Sequence, residues 1–122
     1  MTDTIIFPAR PSMVRVARYA ARVILGEGPR IREALQIISE LATNAILHSA
    51  SRDGGTFELG ITVTDGLVRI EVADAGSAST PGRTEDTNDY GRGLLIVEQL
   101  ADKWGTDSHE NGDTWWAELS WS

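Results

Sequence analysis

The chain has 122 residues, no cysteine, and a formal net charge of −7 from 11 basic and 18 acidic side chains, so one domain, 1–122, without disulfides or thiolate metal sites is expected. Its 41% apolar and 24% charged residues exclude a disordered tail. The longest aliphatic run, Leu94 to Val97, spans no membrane, and Asp3 with no basic region before the first apolar stretch excludes a secretory signal, so a cytoplasmic location is expected.

Thr4 to Phe7 is a short apolar stretch closed by Pro8 and Pro11 and predicts an edge strand. Ser12 is a candidate N-cap for a helix from Met13 to Leu25, with Val14, Ala17, Ala21, Ile24 and Leu25 at helical spacing and Arg15, Arg18 and Arg22 opposite. Gly26, Gly28 and Pro29 end it. A second helix is predicted from about Arg30 to Ala50, its apolar stripe formed by Ile31, Ala34, Leu35, Ile38, Leu41, Ala42 and Ala45. Asp53, Gly54 and Gly55 break that helix. Two alternating runs follow, Phe57-Leu59-Ile61-Val63 and Val68-Ile70-Val72, joined by the hairpin signal Asp65-Gly66. Residues 76–90 read as a surface loop. A third helix is predicted to begin at Arg92 or Gly93 and to carry Leu94, Ile96, Val97 and Leu100. Strands from about Trp104 to Ser108 and Thr114 to Trp121, with a turn at Asn111-Gly112, complete the order. Paired helices and hairpin strands predict an α+β two-layer sandwich, not a doubly wound sheet.

Charge is uneven along this order. Residues 1–32 hold six arginines against two acids, and residues 33–122 hold five bases against sixteen acids. The acidic excess repels a phosphate backbone, so no nucleic-acid partner is expected; the basic first helix suits an acidic protein partner or is simply a solvated face.

Three features carry chemistry. Glu40, Asn44 and His48 recur at i, i+4 and i+8, one line along the border of the second helix's apolar stripe, where a carboxylate and a carboxamide one turn apart suit a metal ion beside a nucleophile. Solvated border residues would show the same spacing. Asp74 shares the parity of Val68, Ile70 and Val72, so its carboxylate points to the core face and needs a donor. Gly76, two residues on, permits close approach of a ligand, whereas a loop-capping Asp74 is the plainer alternative. Gly91-Arg92-Gly93-Leu94 at a helix start would expose backbone N–H groups to phosphate, or would merely follow a flexible loop.

Ser39 to His48 resembles the N box of the GHKL ATPase superfamily, which includes gyrase, heat-shock chaperones and histidine kinases. Val72-Ala73-Asp74-Ala75-Gly76 resembles its first glycine box, and Gly91-Arg92-Gly93-Leu94 with Leu95, Ile96 and Val97 its second. The histidine after the N box and the Gly-Arg-Gly-Leu form are similar to the small anti-sigma-factor serine/threonine kinases. This resemblance covers about Ser12 to Leu119. It implies the Bergerat, histidine-kinase-like fold, a mixed sheet covered on one face by three helices, with ATP and magnesium as ligands. By the same resemblance Asn44 would coordinate magnesium and Glu40 would be general base toward an attacking hydroxyl. Asp74 would accept from the adenine amino group, Gly76 would lie against the base, and Ala78 stands where the family commonly has a second glycine. Residues 77–90 would form a lid, with Gly91, Arg92, Gly93 and Leu94 at the phosphates, and Arg15 matches an arginine used in partner contact.

The implied activity is phosphorylation of a STAS-domain antagonist by a kinase that also binds a sigma factor. Ala78 and the lid acids Glu85, Asp86 and Asp89 motivate the alternative, an ATP-binding module that sequesters a partner without catalysis. Relatives often pair through the sheet, so a homodimer is one expectation, and Trp115, Trp116 and Trp121 are either interface or core residues.

Overall fold

The strand nearest the start of the chain and the strand nearest its end both hydrogen-bond into one five-stranded sheet, so every helix between them is confined to the space beside that sheet. The structure is a computed structural model, and it describes residues 1–48, 55–74, 87–109 and 112–121, without the side chains of 48, 87–92 and 109. The elements are β1 (Thr2–Pro8), α1 (Met13–Leu25), α2 (Ile31–His48), β2 (Thr56–Thr64), β3 (Leu67–Asp74), α3 (Thr87–Leu100), β4 (Lys103–His109) and β5 (Gly112–Ser120). The α+β sandwich with three helices is therefore as expected. No helix among the described residues is long and apolar enough to cross a membrane.

The sheet order is β1-β2-β3-β5-β4 and every pairing is antiparallel. This corrects the mixed sheet. β3 and β4 do run in the same direction across the α3 crossover, but β5 lies between them and pairs with both, so no parallel neighbours remain. Gly66, at φ 73, supplies the left-handed residue of the predicted Asp65-Gly66 turn between β2 and β3.

Strand alternation makes the core. Phe57, Leu59 and Ile61 of β2, Val68, Ile70 and Val72 of β3, and Trp115, Ala117 and Leu119 of β5 all turn inward and are buried. Against them α2 places Ala34, Leu35, Ile37, Ile38, Leu41, Ala42 and Ala45. Ile37 was not in the predicted stripe; α2 packs on the sheet and between α1 and α3, so its apolar arc is wider than one sheet-facing stripe. On α1 only Ala17 and Ala21 are fully buried, because small side chains let that helix sit close to α2.

Two local expectations change. Ser12 has helical backbone angles and makes no side-chain cap; the turn before α1 is closed by backbone bonds from Met13 N–H to Arg10 O and from Val14 N–H to Pro11 O. α3 begins at Thr87, well before Arg92. Its first residues, Thr87, Asn88 and Asp89, suit a helix start, and packing against α2 extends the helix over glycines that local propensity disfavours.

Trp115 and Trp116 point to opposite faces, as the strand assignment requires. Trp115 is in the core. Trp116 lies on the outer face beneath the Arg69 guanidinium, 4.3 Å from its ring centre, and Arg69 is held by Glu71 at 2.7 Å and Glu118 at 2.8 Å. Trp121 packs on Gly28, where a methyl group would run into the indole. Each of these rings thus has a partner inside the chain.

The start of α2, the end of α3 and the end of β5 meet at Arg30, which bonds Glu33, Asp102, Ser120 Oγ and the Leu100 carbonyl. Asp102 also accepts from the Ser120 amide at 2.7 Å. That amide first, and Arg30 second, hold the Asp102 carboxyl below the ordinary value of 3.8. A carboxyl depressed on folding stabilises the native state above its unfolded value and stops doing so as pH falls through its folded value. The stability gap between the wild type and Asp102→Asn, measured by denaturant melts, is therefore expected to be full at neutral pH and to close in strong acid. In the same assay Ile38→Ala is expected to cost about 2–5 kcal/mol, and Val23→Ala, on the exposed side of α1, within about 0.5 kcal/mol.

Candidate functional site

The polar line on α2 begins with Gln36, whose Nε2 donates to Glu40 Oε2 at 2.7 Å. That bond engages one carboxylate oxygen and leaves Oε1 turned toward α3. A methyl group on Gly93 would lie 3.3 Å from Glu40 Oε1 and 3.3 Å from Asn44 Oδ1. The approach is close: α3 rests on the two polar side chains of α2, and a Cβ here would oblige them to shift by a few tenths of an ångström. Gln36 has no periodic or motif signature and was not found in the sequence.

Asn44 is 1% exposed, so the line does not stay on the border of the stripe but passes into the core. Its Nδ2 has no hydrogen-bond partner among the described residues. A buried, unsatisfied amide donor costs roughly 1–3 kcal/mol and calls for an explanation outside packing. His48 ends α2, and its side chain lies outside the described residues.

Asp74 closes β3 with its carboxyl on the core face, 6% exposed, as its parity predicts. Gly112, at φ 139, begins β5 directly beside it, where a methyl group would collide with the Asp74 carbonyl and stand 3.3 Å from Oδ1. Gly76 and Ala78, and residues 77–86 of the expected lid, lie outside the described residues, as do the side chain of Arg92 and the first residue of the Asn111-Gly112 turn.

The earlier start of α3 alters the expected work of its glycines. Gly91 and Gly93 are the fifth and seventh residues of the helix, where the i to i−4 pattern engages backbone N–H groups. Thr87 to Tyr90, the last part of the expected lid, are the first described residues of this helix. Leu94 is half-buried against the core.

Arg15 is exposed on α1 with Arg18 and Arg22, as predicted. Beside this row runs an unpredicted apolar one, Val16, Tyr19 and Val23, with Tyr19 69% and Val23 67% exposed.

No group of three His, Cys, Asp or Glu residues that could hold a metal occurs among the described residues. The donor set fits a metal that shares its ligands with phosphate: one neutral carboxamide oxygen at Asn44, next to an acid at Glu40, with the cradle at Gly93 kept free of side-chain bulk. Magnesium tolerates such a site because it keeps waters and takes phosphate oxygens.

A family model described as histidine kinase-like ATPase domain matches residues 7–118. Among solved structures, the crystal structure of the RsbU and RsbW domains of Rv1364c from Mycobacterium tuberculosis is similar, with a TM-score of 0.76 at 22% identity. The likeness covers 99% of this chain and 32% of that one, so the chain spans about a third of that protein's length. No curated protein matches.

An amide without a partner among the described residues, set inside an apolar stripe, predicts how stability responds to its removal. Asn44→Leu is expected to leave the melting temperature unchanged or higher, because it removes an unsatisfied buried donor while keeping similar volume. Calorimetric unfolding checks this, and a strong loss of stability would mean that Asn44 is a structural hydrogen-bonding residue.

Proposed function

The chain belongs to the histidine kinase-like ATPase domain family, and on that premise we propose that it is an ATP-dependent protein serine/threonine kinase of the anti-sigma type, acting in the cytoplasm. The observation that carries the reading is the meeting of Glu40, Asn44 and Gly93, two of the motif segments brought to one point by α2 and α3. A carboxylate beside a buried carboxamide, under a backbone that has been kept bare, is what an in-line phosphoryl transfer requires of a protein that supplies positioning and charge.

In this scheme Asn44 Oδ1 would hold magnesium together with phosphate oxygens and water. Magnesium, when bound, offsets the negative charge of the triphosphate and that developing in the transition state. Glu40 accepts the proton of a serine or threonine hydroxyl as that oxygen bonds to the γ-phosphorus and ADP leaves with the electrons of the broken bond. Gln36 holds one oxygen of Glu40 and leaves the other to act. Asp74, core-facing at the end of β3, receives the adenine amino group. Gly76, Ala78, Gly91, Arg92, Gly93 and Leu94 belong to the nucleotide pocket.

The protein partners of the proposed kinase are a sigma factor and a STAS-domain antagonist. The α1 face supports partner binding, since Arg15, Arg18 and Arg22 lie alongside exposed Val16, Tyr19 and Val23 and together fit an acidic, partly apolar surface.

Radiolabelled phosphate transfer to a co-occurring STAS-domain protein tests the kinase. Transfer by the wild type, reduced roughly 10²- to 10⁴-fold in Glu40→Ala, is expected. No transfer by the wild type, or undiminished transfer by the variant, overturns the mechanism; tight magnesium–ATP binding without transfer would indicate the sequestering module instead. Titration calorimetry is expected to show magnesium-dependent ATP binding that Asn44→Ala abolishes. A wild type that binds no ATP refutes the nucleotide site altogether.

A further inference from the structure

α2 and α3 run antiparallel: Gly93 meets Glu40 and Asn44 at one end, and Leu100 meets Arg30 at the other. Between these points the contact is apolar, through Leu94, Val97 and Leu100 on α3 and the stripe of α2. Apolar packing is not directional, so by itself it sets the axial register of two helices less sharply than hydrogen bonds do.

Arg30 supplies those bonds. Its Nε donates to Glu33 Oε1 at 2.7 Å and one Nη2 hydrogen to Glu33 Oε2 at 3.3 Å. Nη1 donates to Asp102 Oδ2 at 3.0 Å and to Ser120 Oγ at 3.1 Å, and Nη2 also donates to the Leu100 carbonyl at 3.0 Å. A guanidinium has five N–H donors, and here all five are used. Glu33, first among the causes, and Asp102 raise the Arg30 pKa above the already high arginine value, so the charge is permanent.

The position is unusual for a cation. Arg30 directly precedes α2, where the helix dipole is positive and disfavours it. α3, in contrast, has no basic residue in its last turn. Arg30 provides the cation at that C-terminal end, while Glu33 offsets the charge at the start of α2. Leu100 lies seven residues beyond Gly93, two helical turns and roughly 10 Å along the same face. Fixing one fixes the other.

We propose that Arg30 is a positioning residue of the candidate site: its five-bond fork sets the register of α3 on α2 and thereby holds Gly93 against Asn44 and Glu40. The nucleotide arm of the test below rests on the ATP-binding reading, and the exchange arm does not.

The experiment compares Arg30→Met, Arg30→Lys and Asp102→Asn with Ile61→Val, a variant of buried Ile61 on β2, a strand that does not border β5, that lowers stability by removing core volume. Backbone amide hydrogen exchange of the nucleotide-free protein is read at Gly93, Leu94 and Val97 relative to β3, and magnesium–ATP affinity is read by calorimetry well below each melting point. Arg30→Met is expected to speed exchange at these α3 amides about tenfold relative to β3 and to weaken ATP binding by a similar factor. Arg30→Lys and Asp102→Asn should show smaller shifts in the same direction, and they decide the matter if Arg30→Met does not fold. Ile61→Val should leave the ratio of α3 to β3 exchange and the affinity near wild type. An unchanged exchange ratio in the Arg30 and Asp102 variants overturns the proposal. Absence of ATP binding by the wild type overturns the nucleotide reading alone, and the exchange ratio still decides whether Arg30 positions Gly93.

Discussion

Everything in this molecule is arranged around the burial of α2, a helix pressed on the sheet and flanked by two others. Burial on so many sides demands an almost continuous apolar surface, and from Ala34 to Ala45 the helix supplies it. Asn44 breaks the rule. A carboxamide 1% exposed, whose donor has no partner among the described residues, is costly to bury. The bare backbone of Gly93 lies alongside it. The same packing brings α3 close to α2, and at the point of closest approach α3 carries a glycine.

Much of this was legible in the sequence where periodicity speaks. The alternation Val68, Ile70, Val72 placed Asp74 on the core face, and Asp65-Gly66 announced the hairpin. Glu40 and Asn44 were found by their one-turn spacing, although spacing alone put them at a border and packing by α3 drew Asn44 inside. The start of α3 was missed because threonine, asparagine, aspartate and two glycines read locally as loop, while the tertiary contact at Gly93 and Val97 is what makes them helical. Gln36 and Arg30 left no signal. A single polar side chain has no period, and the partners of Arg30 at Asp102 and Ser120 are distant in the chain.

Glycine and tryptophan form a second theme. Gly28 faces Trp121 and Gly105 faces Trp116, the absent side chain in each case making space for the largest one. On the outer sheet face the indole of Trp116 is then covered by Arg69, whose charge is balanced by Glu71 and Glu118. An otherwise exposed apolar ring is sealed by a cation that its neighbours hold flat. The exposed face of α1 has no such cover: its Val16, Tyr19 and Val23 stand open beside arginines. The two faces therefore differ in that α1 leaves its apolar side chains open to solvent.

The sheet order places β5, which follows β4 in sequence, in an inner position between β3 and β4. Until residues 112–120 leave the ribosome, β3 has one open edge along its whole length, and the strand that ends in Asp74 lacks Gly112 beside it. Nascent chains therefore expose a ladder of unpaired amides and carbonyls until that segment has emerged, an invitation to pair with other strands. Closure of that edge and the seating of Gly112 against Asp74 are one event, so a chain in which Asp74 has that neighbour has already escaped the hazard.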